Sequence, residues 1–222
     1  AVILTAGLAA GAAQAADIAA NLGATAADAK DWTVSGQDTF SGSTYKFAGT
    51  LTVTGTDAKL STDSSSGTVA QLYFNNLIVK DGATLELKQG TNTNGGLQGL
   101  YTDPDFSKAD STATFDHATV TISGSTSIQA TSISLTDTEL NLQGSGAGLG
   151  AEDDHNDSPV AGRGDLTING STISMTGDGV WMGGTTVDIN DSTITLSGAQ
   201  GTSGTSSFAN LYAYGTQGEM NI

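Results

Sequence analysis

The densest group of residues that could do chemistry lies in segment 144–164, where four carboxylates fall close together: Glu152, Asp153, Asp154 and Asp157. Carboxylate oxygens are the hard ligands that Ca2+ prefers. Their spacing differs from that of an EF-hand loop, and adjacent carboxylates on an extended chain point in different directions. The segment is therefore either a Ca2+ site or a solvated acidic loop, and the sequence predicts no other cofactor.

Paired carboxylates also serve glycoside hydrolysis, in which one carboxyl group acts on each side of the sugar linkage. Further candidates for this chemistry are Asp103, Asp105, Asp110, Asp116, His117 and His155. Nothing in the sequence fixes the distance between any two of them. An enzyme that cleaves acidic polysaccharides would also need several basic residues in its groove, and the whole chain has only seven. The sequence therefore defines no catalytic pair.

Two other groups are candidates for binding. Arg163, Gly164 and Asp165 form the tripeptide that many cell-adhesion receptors recognise, although a glycine before a strand also serves simply to turn the chain. Tyr212 and Tyr214 alternate with apolar residues, which predicts an exposed contact strip. Three other aromatic residues stand at positions of inward type and are expected in the core: Phe47, Phe115 and Trp181.

Charge and composition narrow the class of protein. The chain of 222 residues carries 23 acidic and 7 basic side chains, a net charge of -16. Nucleic acids and anionic membranes bind clustered Lys and Arg, so neither is an expected partner. Cysteine is absent, which excludes disulfides and thiol chemistry. Gly, Thr and Ser together supply 86 residues, a composition typical of strands and turns.

Residues 1–31 differ from the rest of the chain because they are rich in alanine. Leu4 and Leu8 recur at helical spacing, and Gly7 with Gly11 forms a G-x-x-x-G face that permits close contact. We predict a helix that caps an open end of the following domain or docks on a neighbouring subunit. The alternative is the remnant of a secretory signal. The run is too short to predict a membrane span.

A repeated unit organises the remainder of the chain. The clearest copies are LTINGSTISMTG at 166–177 and VDINDSTITLSG at 187–198, which match position by position. Further copies lie at 133–144, 113–124, 77–90 and, in shortened form, 45–55. Each unit alternates apolar and polar residues on both sides of a polar corner and ends at a glycine. This pattern predicts two short strands joined by a turn.

The spacing of the units predicts a coil with three faces. Two pairs of copies begin 20 or 21 residues apart, and Val180, Trp181 and Met182 supply the third strand of one such coil. Longer spacings predict loop insertions near 56–76, 91–112 and 144–164. The fold is therefore predicted to be all-β, with one parallel β-helix domain at 32–222 after the helical segment.

The repeated units and the acidic, cysteine-free composition resemble the passenger region of bacterial autotransporters, which are secreted surface proteins. The resemblance covers roughly residues 40–222. It implies a right-handed parallel β-helix, an extracellular or bacterial cell-surface location, and action in adhesion, aggregation or host contact. Loops on the helix would carry specificity.

These features predict a non-enzymatic extracellular protein that acts in adhesion or assembles into a fibre. The expected partners are further copies of the chain, joined through Leu4, Gly7, Leu8 and Gly11, or a cell-surface or glycan ligand. The alternative function is a polysaccharide-processing β-helix enzyme of the type found on phage tailspikes.

Overall fold

The computed structural model describes residues 31–41, 44–63, 71–88, 95–99, 110–152, 164–198, 209–213 and 218–222. These residues form strands and turns, without a helix among them, in agreement with the all-β prediction. The described residues therefore include no membrane-spanning helix. The predicted N-terminal helix, with Leu4, Gly7, Leu8 and Gly11, lies outside the described residues.

The described residues contain 20 strands, most of them three to five residues long. In chain order they are β1 (Trp32–Val34), β2 (Gln37–Ser41), β3 (Thr44–Thr54), β4 (Lys59–Asp63), β5 (Gln71–Lys80), β6 (Thr84–Lys88), β7 (Gly95–Gly99), β8 (Thr112–Asp116), β9 (Thr119–Ser123), β10 (Thr126–Ala130), β11 (Ser132–Thr136), β12 (Glu139–Gln143), β13 (Gly148–Ala151), β14 (Asp165–Asn169), β15 (Thr172–Thr176), β16 (Trp181–Gly184), β17 (Thr186–Asn190), β18 (Thr193–Ser197), β19 (Asn210–Ala213) and β20 (Glu219–Asn221).

The strands stack in three columns, and each coil of the chain adds one strand to each column in turn. Column I contains β7, β10, β13, β16 and β19; column II contains β1, β8, β11, β14, β17 and β20; column III contains β2, β4, β6, β9, β12, β15 and β18. The long strands β3 and β5 pass through columns I and II. Neighbouring strands within a column are parallel, for example β11 with β14 and β12 with β15. This is the arrangement of a parallel β-solenoid, as the repeat predicts.

The core is built from rows of equivalent side chains, because each strand points alternate residues inward. One row of column III runs from Leu87 through Ile122 and Leu142 to Met175, all fully buried. Leu196 continues this row on β18. Each inward side chain therefore packs on its equivalents in the coils before and after, which gives one continuous core.

The corner between columns II and III uses a left-handed backbone conformation in coil after coil. The φ angles of Asp81, His117, Asp137 and Asp191 lie between 45° and 58°. Asp, Asn and His tolerate this region better than other non-glycine residues, which is why polar residues recur at the corner. The amides of His117 and Asp137 donate to the next coil, to the carbonyls of Thr136 and Asn169, each at 3.0 Å. The predicted polar corner is confirmed.

The shortened copy of the repeat is placed wrongly by the sequence. It aligns Tyr45 with the first residue of the unit at 77–90, but Leu51 pairs with Leu77 in the structure. The equivalent unit therefore begins at Leu51. Residues 44–47 belong instead to column I, and the register between β3 and β5 shifts between Phe47 and Thr50.

The three predicted loop insertions each contain a strand. Segment 56–76 includes β4, segment 91–112 includes β7, and segment 144–164 includes β13. The sequences of β7, GGLQG, and β13, GLGA, are too rich in glycine to show apolar alternation. Sequence periodicity therefore misses these strands of column I, and the segments are not loops throughout.

Candidate functional site

The outer face of column I carries two large aromatic rings. Trp181 pairs with Gly148, and its neighbour Met182 pairs with Leu149. Met182 and Leu149 are fully buried, so alternation turns Trp181 to the outside, where it is partly exposed. The prediction that Trp181 packs in the core is therefore wrong, whereas Phe115 is buried as predicted. The side chain of Phe47 lies outside the described residues.

Each ring lies over glycines of the preceding coil. A Cβ atom at Gly150 would lie 2.7 Å from Cζ3 of Trp181, and one at Gly148 would overlap the same indole near Cε2. A Cβ atom at Gly183 would lie 2.5 Å from the backbone oxygen of Tyr212 and 2.9 Å from its ring. None of these glycines has a left-handed φ, so the site needs them for space rather than for backbone freedom. We call these five residues the aromatic platform.

The two rings form a shallow surface. Their centroids are 6.4 Å apart and their planes differ by 33°. Both side chains are partly exposed. Because each ring lies against the strand before it, the two rings lie side by side along the outer face and do not face each other across a pocket.

A polar pair borders the platform. Glu152 follows β13, and its Oε1 accepts a hydrogen bond of 2.9 Å from the Nε2 of Gln129 on β10. Burial raises the pKa of the Tyr212 phenol, and the negative charge of Glu152 raises it further. The Tyr212 hydroxyl therefore stays protonated at neutral pH. Sequence reasoning names Tyr212 and Glu152 for separate roles, but the structure brings them together.

Of the remaining binding candidates, Gly164 and Asp165 lie at the start of β14 in column II, and the others are outside the described residues. Gly164 has a φ of 74°, and a Cβ atom there would overlap the Thr185 hydroxyl, so Gly164 turns the chain into β14. Asp165 begins β14 and pairs with Ser132 and Thr186. Arg163 and Tyr214 lie outside the described residues. Recognition of this tripeptide by a receptor stays a prediction.

The proposed Ca2+ ligands cannot be assembled from the described residues. Glu152 is occupied by its bond to Gln129, and Asp153, Asp154 and Asp157 lie outside the described residues. Within the described ranges, no group of three or more His, Cys, Asp and Glu side chains is placed to hold a metal ion. The Ca2+ site stays a prediction.

Two of the hydrolysis candidates, Asp116 and His117, lie together at the corner between columns II and III, with Asp137 beside them. His117 Nδ1 lies 2.6 Å from Asp116 Oδ1, and His117 Nε2 lies 3.5 Å from Asp137 Oδ2. The hydrogen bond to Asp116 raises the pKa of His117, as do the charges of Asp116, Asp137 and Asp81. The imidazole fills the space between two carboxylates that a substrate would need. This group therefore fits a corner ion pair better than a catalytic pair.

The other hydrolytic candidates do not add to this group. Asp110 is exposed just before β8, and Asp103, Asp105 and His155 lie outside the described residues.

Comparison with known proteins adds no relative: no protein family model, curated protein or solved structure matches this chain.

Proposed function

We propose that this chain is a non-enzymatic extracellular protein of a bacterial surface that acts in adhesion. In this proposal the stacked columns form a right-handed parallel β-helix of the kind that autotransporter passengers use. The observation that carries the proposal is the aromatic platform on the outer face of column I. Exposed Trp and Tyr side chains are the usual anchors of binding surfaces, because they offer a large contact area with few rotatable bonds.

The cost of building the platform supports a role in binding. A glycine inside a strand destabilises it by roughly 0.5–1 kcal/mol relative to alanine, and two strand glycines, Gly148 and Gly150, make room for the indole of Trp181. A fold that needed only stability would place alanine or threonine at these positions. The rings are therefore better explained by contact with a partner than by the needs of the coil.

The neighbouring outer faces supply a rigid scaffold for such a contact. Their polar side chains bond from coil to coil, as from Asn190 to Asn169 at 3.1 Å and from Asn221 to Asp188 at 2.7 Å. A pre-ordered surface loses little conformational entropy when it binds. This favours adhesion through the fold itself.

Adhesion can be tested with beads coated with the full chain. We expect coated beads to attach to bacterial or epithelial cells, and attachment to fall several-fold when Trp181 and Tyr212 are both replaced by alanine. Tyr73→Ala is the matched control, because Tyr73 lies on β5 in the same column, several coils away. Attachment no better than that of uncoated beads would contradict the proposal, as would release of reducing sugar ends from polysaccharides.

A second candidate function is self-assembly into a fibre, and one observation favours it. Leu196 holds an inward position but is 49% exposed. The reason is that β18 pairs with β15 along one edge and with no described strand along the other. Met220, on β20 in the following coil, is 36% exposed. Open strand edges with apolar side chains pair readily with another copy.

Sedimentation velocity over a range of concentrations tests assembly. We expect oligomers that grow with concentration and that Leu196→Asp disperses, while Thr195→Asp on the outward side of β18 has a smaller effect. A chain that remains monomeric at high concentration would exclude this second function.

A further inference from the structure

We infer that the aromatic platform binds a neutral pyranose unit of a glycan, stacked on Trp181 and Tyr212 and hydrogen-bonded by Glu152 and Gln129. The inference rests on the proposed role in adhesion and names the chemical class of the ligand.

The placement of the rings favours a flat ligand. A quaternary ammonium group is held by aromatic faces that surround it. Here the Trp181 ring lies against Gly148 and Gly150, and the Tyr212 ring lies against Gly183, so each ring has one face turned to the preceding strand. The pair therefore does not surround a compact cation. A pyranose has a flat face of C–H groups, and these carry partial positive charge that the negative face of an aromatic ring attracts. A sugar laid across the pair contacts both rings.

The polar pair beside the rings fits the edge of a sugar. A carboxylate accepts hydrogen bonds from hydroxyl groups, and a carboxamide both donates and accepts. Gln129 uses one amide hydrogen on Glu152, and that bond holds both groups in a fixed orientation at the border of the platform. The protonated phenol of Tyr212 adds a hydroxyl group to the same border. Sugar hydroxyls require this mixture of donors and acceptors.

Charge decides between neutral and acidic sugars. Glu152 places a negative charge next to Tyr212, and the chain as a whole has a net charge of -16. A uronic or sialic acid would be repelled both locally and at long range. Neutral hexoses and N-acetylhexosamines carry no such penalty. The structure therefore favours a neutral glycan.

Tryptophan fluorescence provides a direct probe of the site. The chain contains two tryptophans, and Trp32 is buried at 8% exposure in the first described coil. The variant Trp32→Phe leaves Trp181 as the sole reporter. We expect at least one of maltohexaose, cellohexaose, chitohexaose and a mannan oligosaccharide to change its emission saturably. Polygalacturonate should not.

Calorimetry with the responding oligosaccharide then tests individual residues. Trp181→Ala and Tyr212→Ala should each weaken binding by about tenfold or more, as anchor residues do. Gly150→Ala should weaken binding with both rings still present, because its methyl group displaces the indole. Tyr73→Ala should bind like the parent chain. Should Trp181→Ala fail to fold, as judged by circular dichroism, Glu152→Ala tests the same site and should weaken binding several-fold.

The results separate this inference from the proposed function. Failure of all four neutral oligosaccharides to bind would overturn the glycan inference, as would unchanged binding by both Trp181→Ala and Tyr212→Ala. If coated beads still attached to cells through the platform, adhesion would stand with a different ligand. Oligosaccharide binding without any attachment to cells would support the glycan site and contradict adhesion.

Discussion

The inward row of column III allows one substitution to be compared in two surroundings. Leu142 pairs with Met175, and Met175 pairs with Leu196, so the two leucines hold equivalent positions. Leu142 is fully buried between strands of two neighbouring coils, whereas Leu196 is 49% exposed. Replacing each leucine with alanine removes the same atoms in both cases, from an enclosed position at Leu142 and from a partly exposed position at Leu196.

The expected costs follow from this difference. Leu142→Ala should lower the free energy of unfolding by about 2–5 kcal/mol. The substitution removes apolar atoms that were transferred from water into the core, and it leaves a closed cavity in their place. Leu196 already has about half of its surface in water, and its loss leaves no closed cavity. Leu196→Ala should therefore cost only about 1 kcal/mol.

Denaturation by guanidinium, followed by far-UV circular dichroism, measures both values. The first transition is the one to compare, because stacked repeats do not always unfold in a single step. Thr195→Ala, on the outward side of β18, serves as a control and should change stability by less than about 0.5 kcal/mol. Equal losses for the two leucine variants would refute the reasoning, since Leu196 would then be as enclosed as Leu142.

Three further predictions concern charge and turn geometry. The pKa of His117 is raised in the folded chain, so protonated His117 stabilises the fold. This stabilisation is fully present below pH 6.5 and is lost as pH rises through the folded pKa. The melting temperature of the parent chain should therefore fall more between pH 6 and 8 than that of His117→Asn. Burial raises the pKa of Asp38, so Asp38→Asn should raise the melting temperature at pH 7 but not at pH 3, where the parent carboxyl is already neutral; an equal gain at both would contradict this. Gly164→Ala should destabilise the chain by about 1 kcal/mol or more in denaturation, while Asp165→Asn should not; receptor binding lost in both variants would support the tripeptide as a ligand.

The stacked architecture could be predicted because every coil buries side chains at equivalent positions. Leu166 aligns with Val187 in the repeat, and the same two residues pair in the structure. The polar corners were predictable for a related reason. A left-handed residue is needed at this corner of the coil, and few residue types tolerate it, so Asp recurs there at Asp137 and Asp191.

The first coils were harder to predict because alternation does not identify the column to which a strand belongs. Tyr45 and Phe47 occur in the same alternating pattern as a strand of column II, but they lie in column I, before the register of β3 shifts. Only the pairing of Leu51 with Leu77 settles the register. The local pattern of residues predicts that a segment is a strand and which of its faces points inward. The register of that strand depends instead on contacts with residues that are distant in the sequence.

The platform was missed because apolar character alone does not distinguish an outward ring from a core ring. Parallel strands lie about 4.8 Å apart, and an indole is wider than this spacing, so an outward Trp must cover part of the adjacent strand. Trp181 can do so only because Gly148 and Gly150 present no Cβ atoms beneath it. Once the register is known, two strand glycines one coil before a Trp are the signal of a ring laid along the outer face. This signal occurs in column I, where the alternation of apolar and polar residues is weakest. Column I is also the part of the fold that differs most from one built for stability alone.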